Sequence, residues 1–390
     1  MKRLLAVFLS LLCFFSVARS QQAGCAVRIT LLTCAPGDEL YSSFGHTALR
    51  VEDSAAGSDL VYNYGSFEFG PDFYTEFIRG RLLYFVSVES YYQFLYQYRV
   101  ESRSVQEQEL QLDCEEKQKL LQALRVNALE QNKYYRYDFL FDNCTTRAKD
   151  IVKGNTFASV LFKNILPADR PSFRDLIHQY LDAGHKHWSK FGIDILLGAK
   201  LDRKVTNEEA MFLPDYLLKG FDSASVGGRP LVTPPRTTLA ATSPLQQNSW
   251  FTPFVLFFLL FLFAFLLESI KTRPAQIALK VFDSLFFITL GLAGFLLLFM
   301  WFGTDHKLCS NNYNLLWALP THLVAAFFVM SRKNWVRAYF KAVFVLSLLL
   351  TLAWFILPQD LNSGLIPVMM IVVRRSWKLS KPLGHDTKKI

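Results

Sequence analysis

Charged residues are scarce in this chain of 390 residues, where they make up 19 % of the sequence. Soluble domains usually carry about a quarter. Hydrophobic residues make up 51 %, and phenylalanine alone occurs 36 times. The scarcity argues against two soluble domains and favours one folded domain plus a membrane region. The net charge of +9 does not indicate nucleic-acid binding, because many basic residues flank hydrophobic stretches near the C-terminus.

The sequence also lacks an internal repeat and a clear set of metal ligands. His185 and His187 lie in a turn-like Gly-His-Lys-His segment. A metal site would need carboxylate or further histidine partners at suitable spacing, and none is evident. We therefore expect neither a metal nor a cofactor.

Cysteine is rare, with six in the chain. Cys13 lies in the N-terminal apolar segment, and Cys309 lies between two hydrophobic stretches. The other four lie in the first half of the chain, at Cys25, Cys34, Cys114 and Cys144. Disulfides form in exported domains, and the sequence leaves the pairing among Cys25, Cys34 and Cys114 open.

We interpret residues 1–20 as a secretory signal peptide, so that the mature chain starts outside the cytoplasm. Lys2 and Arg3 precede an apolar core and an Ala-Arg-Ser sequence that fits a small-x-small cleavage site. Lipid attachment at Cys25 is the alternative. It is disfavoured because Gln22 stands where a lipoprotein signal has an aliphatic residue.

Residues 21–222 are predicted to form an α+β exported domain. Runs of β-favouring residues predict strands at 27–32, 47–51, 60–64 and 82–88, and later runs predict helices at 115–130, 144–152 and 173–183. Residues 223–249 are rich in Ser, Thr, Pro and Gly and almost uncharged. That composition predicts a partly extended linker.

Residues 250–373 are predicted to form a helical membrane domain of four to five spans. The expected spans are 250–267, 277–302, 313–330, 340–357 and a shorter one at 365–373. Basic residues fall in the loops after the first and third spans, which are cytoplasmic if the N-terminal domain is exported. In the outer loops, Lys307 is the single basic residue. This pattern favours five spans, because residues 374–390 then form a basic cytoplasmic tail.

Two short motifs in the exported domain carry chemistry. In Ser-Phe-Gly-His-Thr-Ala, His46 follows a glycine and enters a strand; in Phe-Asp-Asn-Cys-Thr-Thr, Cys144 opens a predicted helix. A helix N-terminus lowers a thiol pKa and supplies N–H groups for an oxyanion. We therefore predict Cys144 as nucleophile and His46 as its base. The alternatives are a buried thiol or disulfide half for Cys144, and a strand histidine without catalytic role for His46.

A third side chain is expected to orient the imidazole. Asn63 is our choice, because the alternation of a strand places it opposite Tyr62 and Tyr64, and Tyr64 is the second candidate. Asp142 and Asn143 are both good cap residues before the helix that begins at Cys144, and for Asp142 a cap role is expected in place of a role beside the imidazole.

Asp305 and His306 lie at the outer end of the second predicted span, on the side of the exported domain. A lipid head group is one expected contact for His306, and an ordinary interfacial position is the other. The aromatic-rich stretch 69–98, with Arg79 and Arg81, is expected either to face lipid or to fill the domain's own core.

The order of these motifs, with histidine first and Asn-Cys at a helix start, resembles the circularly permuted papain-like proteins of the NlpC type. Lecithin:retinol acyltransferase is similar in this order of residues. The chain more closely resembles the bacterial lipoprotein N-acylation transferases of the Lnb type. The stretches that carry the resemblance are 44–50, 61–65, 137–145, 211–214, the Asp305-His306 loop and 314–317.

The resemblance implies a multi-pass protein of the bacterial inner membrane with a periplasmic catalytic domain. Its partners would be membrane lipids and a diacylated lipoprotein. Cys144 would take one acyl chain from the diacylglyceryl group as a thioester, with His46 as acid and base. The N-terminal amine of the lipoprotein would then accept that chain. Asn63 is carried over by strand order alone.

Three other functions remain as alternatives. The first is a peptidoglycan amidase or endopeptidase of the same fold, although such hydrolases rarely need more than a membrane tether. The second is a thioesterase or lipid acylhydrolase, in which water replaces the amine. The third is a non-enzymatic membrane-anchored binding or assembly protein, for which Cys144 would be dispensable.

Overall fold

The computed structural model describes residues 25–241, 249–331 and 333–382. The predicted signal peptide, the following residues up to position 24 with Gln22, residues 242–248, Arg332 and residues 383–390 lie outside this part of the chain.

Ten β-strands occur in the described residues, and seven of them form one antiparallel sheet. In chain order, β1 to β10 are Val27–Cys34, His46–Asp53, Ser58–Ser66, Leu83–Ser90, Val105–Glu109, Tyr134–Arg136, Val160–Leu161, Ser225–Val226, Arg229–Pro230 and Arg236–Leu239. The large sheet has the order β10-β5-β1-β2-β3-β4-β6, and β7, β8 and β9 form a small second sheet.

Thirteen α-helices accompany the strands in the same part of the chain. In chain order, α1 to α13 are Phe73–Arg79, Tyr91–Val100, Cys114–Asn127, Cys144–Gly154, Phe173–Ala183, His187–Leu196, Asn207–Ala210, Pro214–Ser223, Pro253–Ser269, Arg273–Phe302, His322–Phe327, Asn334–Leu352 and Leu365–Ser380. The predicted strands and helices of the exported domain are all present, with small shifts at their ends.

The two faces of the large sheet are buried by different helices. Alternating residues of β1 point to opposite sides, as strand geometry requires. Ile29 and Leu31 join the larger core, which also contains residues of α3, α4 and α8. Leu32 and Cys34 join a smaller core with Phe94 and residues near it in α2. The site described below lies where β2 and β3 meet the start of α4.

The predicted linker at 223–249 is wrong for its first part. Residues 225–239 contribute β8, β9 and β10, and β10 pairs with β5 at the edge of the large sheet. Leu231 and Val232 are buried in the main core. The exported domain therefore extends beyond residue 222. The sequence did not indicate this, because these few apolar residues lie among many Ser, Thr and Pro residues.

The region after residue 249 is mainly helical. Two of its helices, α10 and α12, are long and apolar enough to cross a membrane, and α9 is a shorter apolar helix. The continuous helix expected at 313–330 is wrong. That stretch has a 3₁₀ turn at Tyr313–Leu316 and then only the short α11. Pro320 lies between them, and proline lacks the N–H that a continuous helix needs at that position.

The start of the predicted basic tail is also wrong, because α13 continues to Ser380. Arg375 is buried and bonds to Asp283 through Nε, with Nε–Oδ1 at 2.7 Å. Arg374 and Lys378 both pair with Glu268 of α9. These carboxylates hold the basic residues against neighbouring helices, so residues 374–380 are structured.

The helical region is joined to the exported domain by a buried polar network around Asp194. Arg174 Nη1 donates to Asp194 Oδ1 at 2.7 Å, and both side chains are 1 % exposed. From the helical region, Asn362 Nδ2 donates to the same carboxylate at 2.7 Å, and Asn314 Nδ2 donates to the Asp194 carbonyl at 2.9 Å. Buried polar groups of this kind require partners, so the network fixes one region on the other.

The structure resolves the cysteine pairing that the sequence left open. Cys25 and Cys114 form a disulfide that ties the start of β1 to the start of α3. Cys34 is a buried free thiol at the end of β1. Burial raises the pKa of Cys34 to about 12, so this thiol stays protonated at neutral pH.

Candidate active site

Cys144 is the first residue of α4, and Asn143 is the helix cap. Asn143 Oδ1 accepts hydrogen bonds from the N–H groups of Thr145 and Thr146 at 2.8 and 2.9 Å. Its Nδ2 donates to the carbonyls of Phe139 and Phe212 at 2.8 and 2.9 Å. A single amide therefore both caps the helix and anchors it to two other segments.

The predicted cap role of Asp142 is wrong. Asp142 instead forms an ion pair with Arg147, with Nε–Oδ1 at 2.6 Å. The Arg147 guanidinium lies 3.5 Å from the centre of the Tyr135 ring. Asn143 is the better cap here because a carboxylate has no N–H groups for the two carbonyls that Asn143 also satisfies.

His46 begins β2 and bonds to Asn63 of β3. The distance from His46 Nε2 to Asn63 Oδ1 is 2.6 Å, so Nε2–H donates and Nδ1 is left to interact with Cys144. Asn63 Nδ2 donates in turn to Glu89 Oε1 at 3.3 Å. The second candidate, Tyr64, faces the opposite core, where its hydroxyl accepts from Asn127 at 2.8 Å.

Gly65 lies close to both reactive side chains. A Cβ atom at this position would lie 3.6 Å from Cys144 Cβ and 3.9 Å from His46 Cε1. The residue has a φ of +94°, which glycine adopts without strain, and the register of β3 and β4 shifts beside it. These distances are ordinary contacts, so it is the backbone conformation, not lack of space, that favours glycine here.

The charges of the pair stabilise each other. Burial raises the pKa of Cys144, but the His46 charge and hydrogen bond, together with the Thr47 N–H, outweigh it and lower the pKa to about 7. Burial lowers the pKa of His46, but the Cys144 thiolate and Asn63 outweigh it and raise the pKa. Both shifts favour a thiolate beside an imidazolium, which is the reactive form of a nucleophilic cysteine.

Cys144, His46 and Asn63 line a cavity of about 690 Å³. This lies within the range of about 300–1,000 Å³ that is usual for ligand sites. Most of its wall is apolar or aromatic, including Phe44, Phe67, Phe77, Leu82, Tyr84, Tyr98, Tyr137, Phe139, Ile193, Leu197, Phe212 and Leu213. Residues 305–308 from the helical region complete the wall.

Asp305 and His306 are held by the exported domain and do not contact the reactive pair. The Asp305 carboxylate accepts a hydrogen bond from Arg81 Nε at 3.1 Å, and the backbone N–H of Asp305 donates to the carbonyl of Arg79 at 2.8 Å. His306 Nε2 lies 3.0 Å from the carbonyl of Phe77. The two residues therefore fasten the end of α1 to the loop after α10, at the cavity wall.

The aromatic-rich stretch 69–98 is buried in one part and exposed in another, and the contact of its exposed part with lipid stays a prediction. Phe94 and Tyr98 of α2 are buried in the smaller core. Helix α1 has no buried residue, and Phe69 and Tyr74 are 75 % and 72 % exposed. The exposed part lies next to the loop after α10, where a lipid interface is expected.

Sequence reasoning missed three parts of this site. The Thr47 N–H interacts with the Cys144 sulfur, but backbone donors carry no residue signature. Gly65 follows Asn63 by two residues, and a glycine at the end of a predicted strand was the sequence feature that could have indicated its unusual backbone conformation. Arg103 also lines the cavity, and no motif marked it. Among the described residues, no group of three or more His, Cys, Asp or Glu side chains is placed to hold a metal ion.

The fold and the site define a two-part protein, with a mixed α/β domain that carries a cysteine–histidine pair and a helical region of membrane-spanning composition. Two family models match the chain: the Lnb N-terminal periplasmic domain over residues 16–179 and the Lnb transmembrane domain over residues 245–381. The chain belongs to the Lnb family of lipoprotein N-acylation enzymes. No curated protein and no solved structure matches it.

The family matches establish the class of the protein. The chain is a membrane protein with a periplasmic domain followed by a helical transmembrane domain. It is a lipoprotein-modifying enzyme that works in a membrane context.

Proposed function

We propose that the chain is a lipoprotein N-acyltransferase that uses Cys144 as nucleophile, His46 as acid and base, and Asn63 to orient the imidazole. The observation that carries the proposal is the opening of this triad into a mostly apolar cavity whose wall comes from both domains. The order His, Asn, Cys on β2, β3 and the start of α4 supports a circularly permuted papain-like catalytic domain.

In the first half-reaction, the Cys144 thiolate attacks the carbonyl carbon of one glycerol ester of a diacylated lipoprotein. The ester C–O bond breaks, and the His46 imidazolium gives its proton to the departing glycerol oxygen. The acyl group then rests on Cys144 as a thioester. The Cys144 N–H, at the first position of α4, has no acceptor within its own helix, and we assign it the stabilisation of the oxyanion.

In the second half-reaction, the neutral N-terminal amine of the lipoprotein attacks the thioester carbonyl. His46 takes a proton from the attacking nitrogen, and the C–S bond breaks to restore the thiolate. The net change converts an ester and an amine into an amide and an alcohol, so no cofactor is required. Water would hydrolyse the thioester if it entered, and the apolar wall limits its access.

We also propose that the protein is a multi-pass protein of the bacterial inner membrane. Up to five membrane crossings can be assigned: the four helices α9, α10, α12 and α13, and the broken segment 313–331. The basic residues at 271–273 and 333–341 lie in or beside the first and third loops between these segments. Both loops are cytoplasmic when the N-terminal domain is exported, as the positive-inside rule requires.

The test is mass spectrometry of lipoprotein N-terminal peptides from a host that carries wild type, Cys144→Ser or the matched control Cys34→Ala. N-acylated, monoacylglyceryl peptides are expected with wild type and with the control but not with Cys144→Ser. Peptides that lose one acyl chain without gaining an N-acyl group would assign the site to hydrolysis. Identical lipid forms in all three hosts would refute both.

A further inference from the structure

Helix α1 carries an apolar face that the described part of the chain does not cover. Its sequence, Phe-Tyr-Thr-Glu-Phe-Ile-Arg, places apolar side chains at positions 73, 74, 77 and 78 and polar ones at 75, 76 and 79. None of the seven residues is buried, and Tyr74, Phe77 and Ile78 are 72 %, 51 % and 48 % exposed. A short amphipathic helix with exposed aromatic side chains is typical of a segment that binds a membrane surface or another protein.

Contacts with the loop after α10 favour the membrane, because they fix the position of α1 relative to a membrane-spanning helix. The Asp305 N–H donates to the Arg79 carbonyl at 2.8 Å, and His306 Nε2 lies 3.0 Å from the Phe77 carbonyl. A Cβ atom at Gly80 would lie only 3.1 Å from the backbone nitrogen of His306, so the two backbones are in direct contact.

The end of α10 marks the periplasmic surface of the membrane. Helix α10 is long and apolar enough to cross a membrane, belongs to the transmembrane domain, and ends at Phe302. Trp301 and Phe302 stack with ring centres 4.9 Å apart, and Phe302 is 74 % exposed. Aromatic residues at the end of a span are typical of the membrane–water interface. Since α1 is bonded to residues 305 and 306, its exposed face lies at the level of the lipid head groups and the adjoining acyl chains.

The aromatic face of α1 is continuous with the wall of the catalytic cavity. Phe69 and Phe77 both pack on Phe73, with ring centres 4.5 and 6.1 Å away. The Phe73 ring packs in turn on Phe67 at 5.7 Å. Phe67 and Phe77 line the cavity that contains Cys144. The exposed patch and the cavity therefore share one run of aromatic side chains.

The exposed part of the cavity wall is apolar as well. Leu40 and Tyr41 line the cavity and are 51 % and 73 % exposed, and Phe77 of α1 combines the same two properties. Contact of these side chains with water costs free energy, whereas contact with acyl chains does not. This composition fits a substrate that enters from the bilayer.

We propose that α1 lies in the periplasmic leaflet of the membrane and that the acyl chains of a lipid substrate pass along its aromatic face into the cavity. The inference rests on the proposed function for the identity of that substrate, a diacylated lipoprotein that the membrane itself holds. Lateral entry keeps the acyl chains in apolar surroundings throughout, so the enzyme does not have to extract them into water.

The position of α1 is tested by fluorescence of the full-length protein in vesicles of phosphatidylcholine and phosphatidylglycerol. A maleimide dye is attached to Phe69→Cys or Tyr74→Cys, and to Phe157→Cys as the matched control. Phe157 is 58 % exposed and lies beyond the end of α4 that is opposite to Cys144. All three variants also carry Cys144→Ser, and the other free cysteines of the described residues are buried.

We expect lipids with a spin label on the acyl chain to quench the dye at positions 69 and 74 at least about threefold more than at position 157. Iodide in the water should show the opposite order. Equal quenching at all three positions, or stronger iodide quenching at 69 and 74 than at 157, would overturn the inference.

The entry route is tested by the rate of acyl transfer to the lipopeptide amine in the same vesicles, read by mass spectrometry. Wild type is compared with a variant that carries both Phe69→Asp and Tyr74→Asp, and with Phe157→Asp as control. One diacylated lipopeptide has long chains and stays in the bilayer, and the other has short chains and dissolves in water. Melting temperature and iodoacetamide labelling of Cys144 check that the fold and the reactive pair are intact.

With the long-chain lipopeptide, we expect the double variant to be slower than wild type by about tenfold or more, because two carboxylates disfavour contact of α1 with lipid. With the short-chain lipopeptide its rate should stay within about twofold, as should the rates of Phe157→Asp with both. An equal loss with both lipopeptides would overturn the inference, since it indicates damage to the site, and so would an unchanged rate with the long-chain one. If wild type transfers no acyl chain from either lipopeptide, the proposed function fails, and the quenching experiment still decides where α1 lies.

Discussion

The pH dependence of Cys144 alkylation tests the thiolate–imidazolium pair directly. His46 and the surrounding N–H groups lower the thiol pKa from 9.0 to about 7. The perturbation is His46→Ala, which removes the two largest contributions that oppose burial. Burial then acts with less opposition, and we expect the pKa to rise above 9.0 in this variant.

The magnitude follows from the two pKa values. At pH 7 a thiol with a pKa of about 7 is about half ionised, whereas one with a pKa of 9.0 is about 1 % ionised, a ratio of roughly 50. A thiolate with the lower pKa is also less nucleophilic, by roughly 6- to 10-fold for a pKa difference of two units. The net advantage of wild type over His46→Ala at pH 7 is therefore at least about fivefold.

The assay is the rate of iodoacetamide labelling of the Cys144 peptide between pH 5 and pH 10. In wild type the rate is expected to rise with pH around 7 and then level off, because the reactive form appears as the thiol loses its proton. In His46→Ala the rise is expected only above pH 9. Cys34 in the same protein is the internal control, since its pKa of about 12 predicts no labelling across this range. A wild-type midpoint near 9, or the same midpoint in both proteins, would refute the pairing.

Three further changes test other parts of the site. Asn63→Ala is expected to lower the rate of acyl transfer by about 10- to 100-fold while Cys144 still reacts with iodoacetamide, because the imidazole loses its orientation; an unchanged rate would contradict this role. Asn143→Ala should lower the free energy of unfolding by about 3 kcal/mol, from a lost cap and two unpaired carbonyls, and Asn143→Asp should lose less because it keeps the cap acceptor. Chemical denaturation measures both, and equal losses would contradict the dual role. Replacing Cys25 and Cys114 by serine opens a link across a sequence separation of 89 and should destabilise the domain by about 4–5 kcal/mol, read as a lower melting temperature.

The strands and helices of the exported domain were predictable because the strands are runs of β-favouring residues and several helices begin at strong caps. Asn63 was placed correctly from alternation alone, since Tyr62 and Tyr64 were assigned to the other face. The cap at the start of α4 was assigned to Asp142, and the structure gives it to Asn143. That choice depends on the carbonyls of Phe139 and Phe212, which the chain brings near only after folding.

Other features depend on contacts between distant segments and left little trace in the sequence. Residues 236–239 have the composition of a linker but complete the edge of the sheet beside β5. The stretch 313–330 is apolar enough for a span, yet it breaks at Pro320 and packs closely on Gly291 and Gly294 of α10. Arg375 has the charge of a cytoplasmic tail but pairs with Asp283 within the helical region.

The loop after α10 and the network around Asp194 limit how one half of the chain can be exchanged for that of another protein. The cavity wall at residues 305–308 belongs to one half of the chain and the reactive pair to the other. Asp194 in the first half is bonded by Asn314 and Asn362 in the second. A chimera that joins this exported domain to an unrelated anchor would keep Cys144 and His46 but lose part of the enclosure around them. A working hybrid therefore needs a helical region that supplies both the cavity wall at 305–308 and the partners of Asp194.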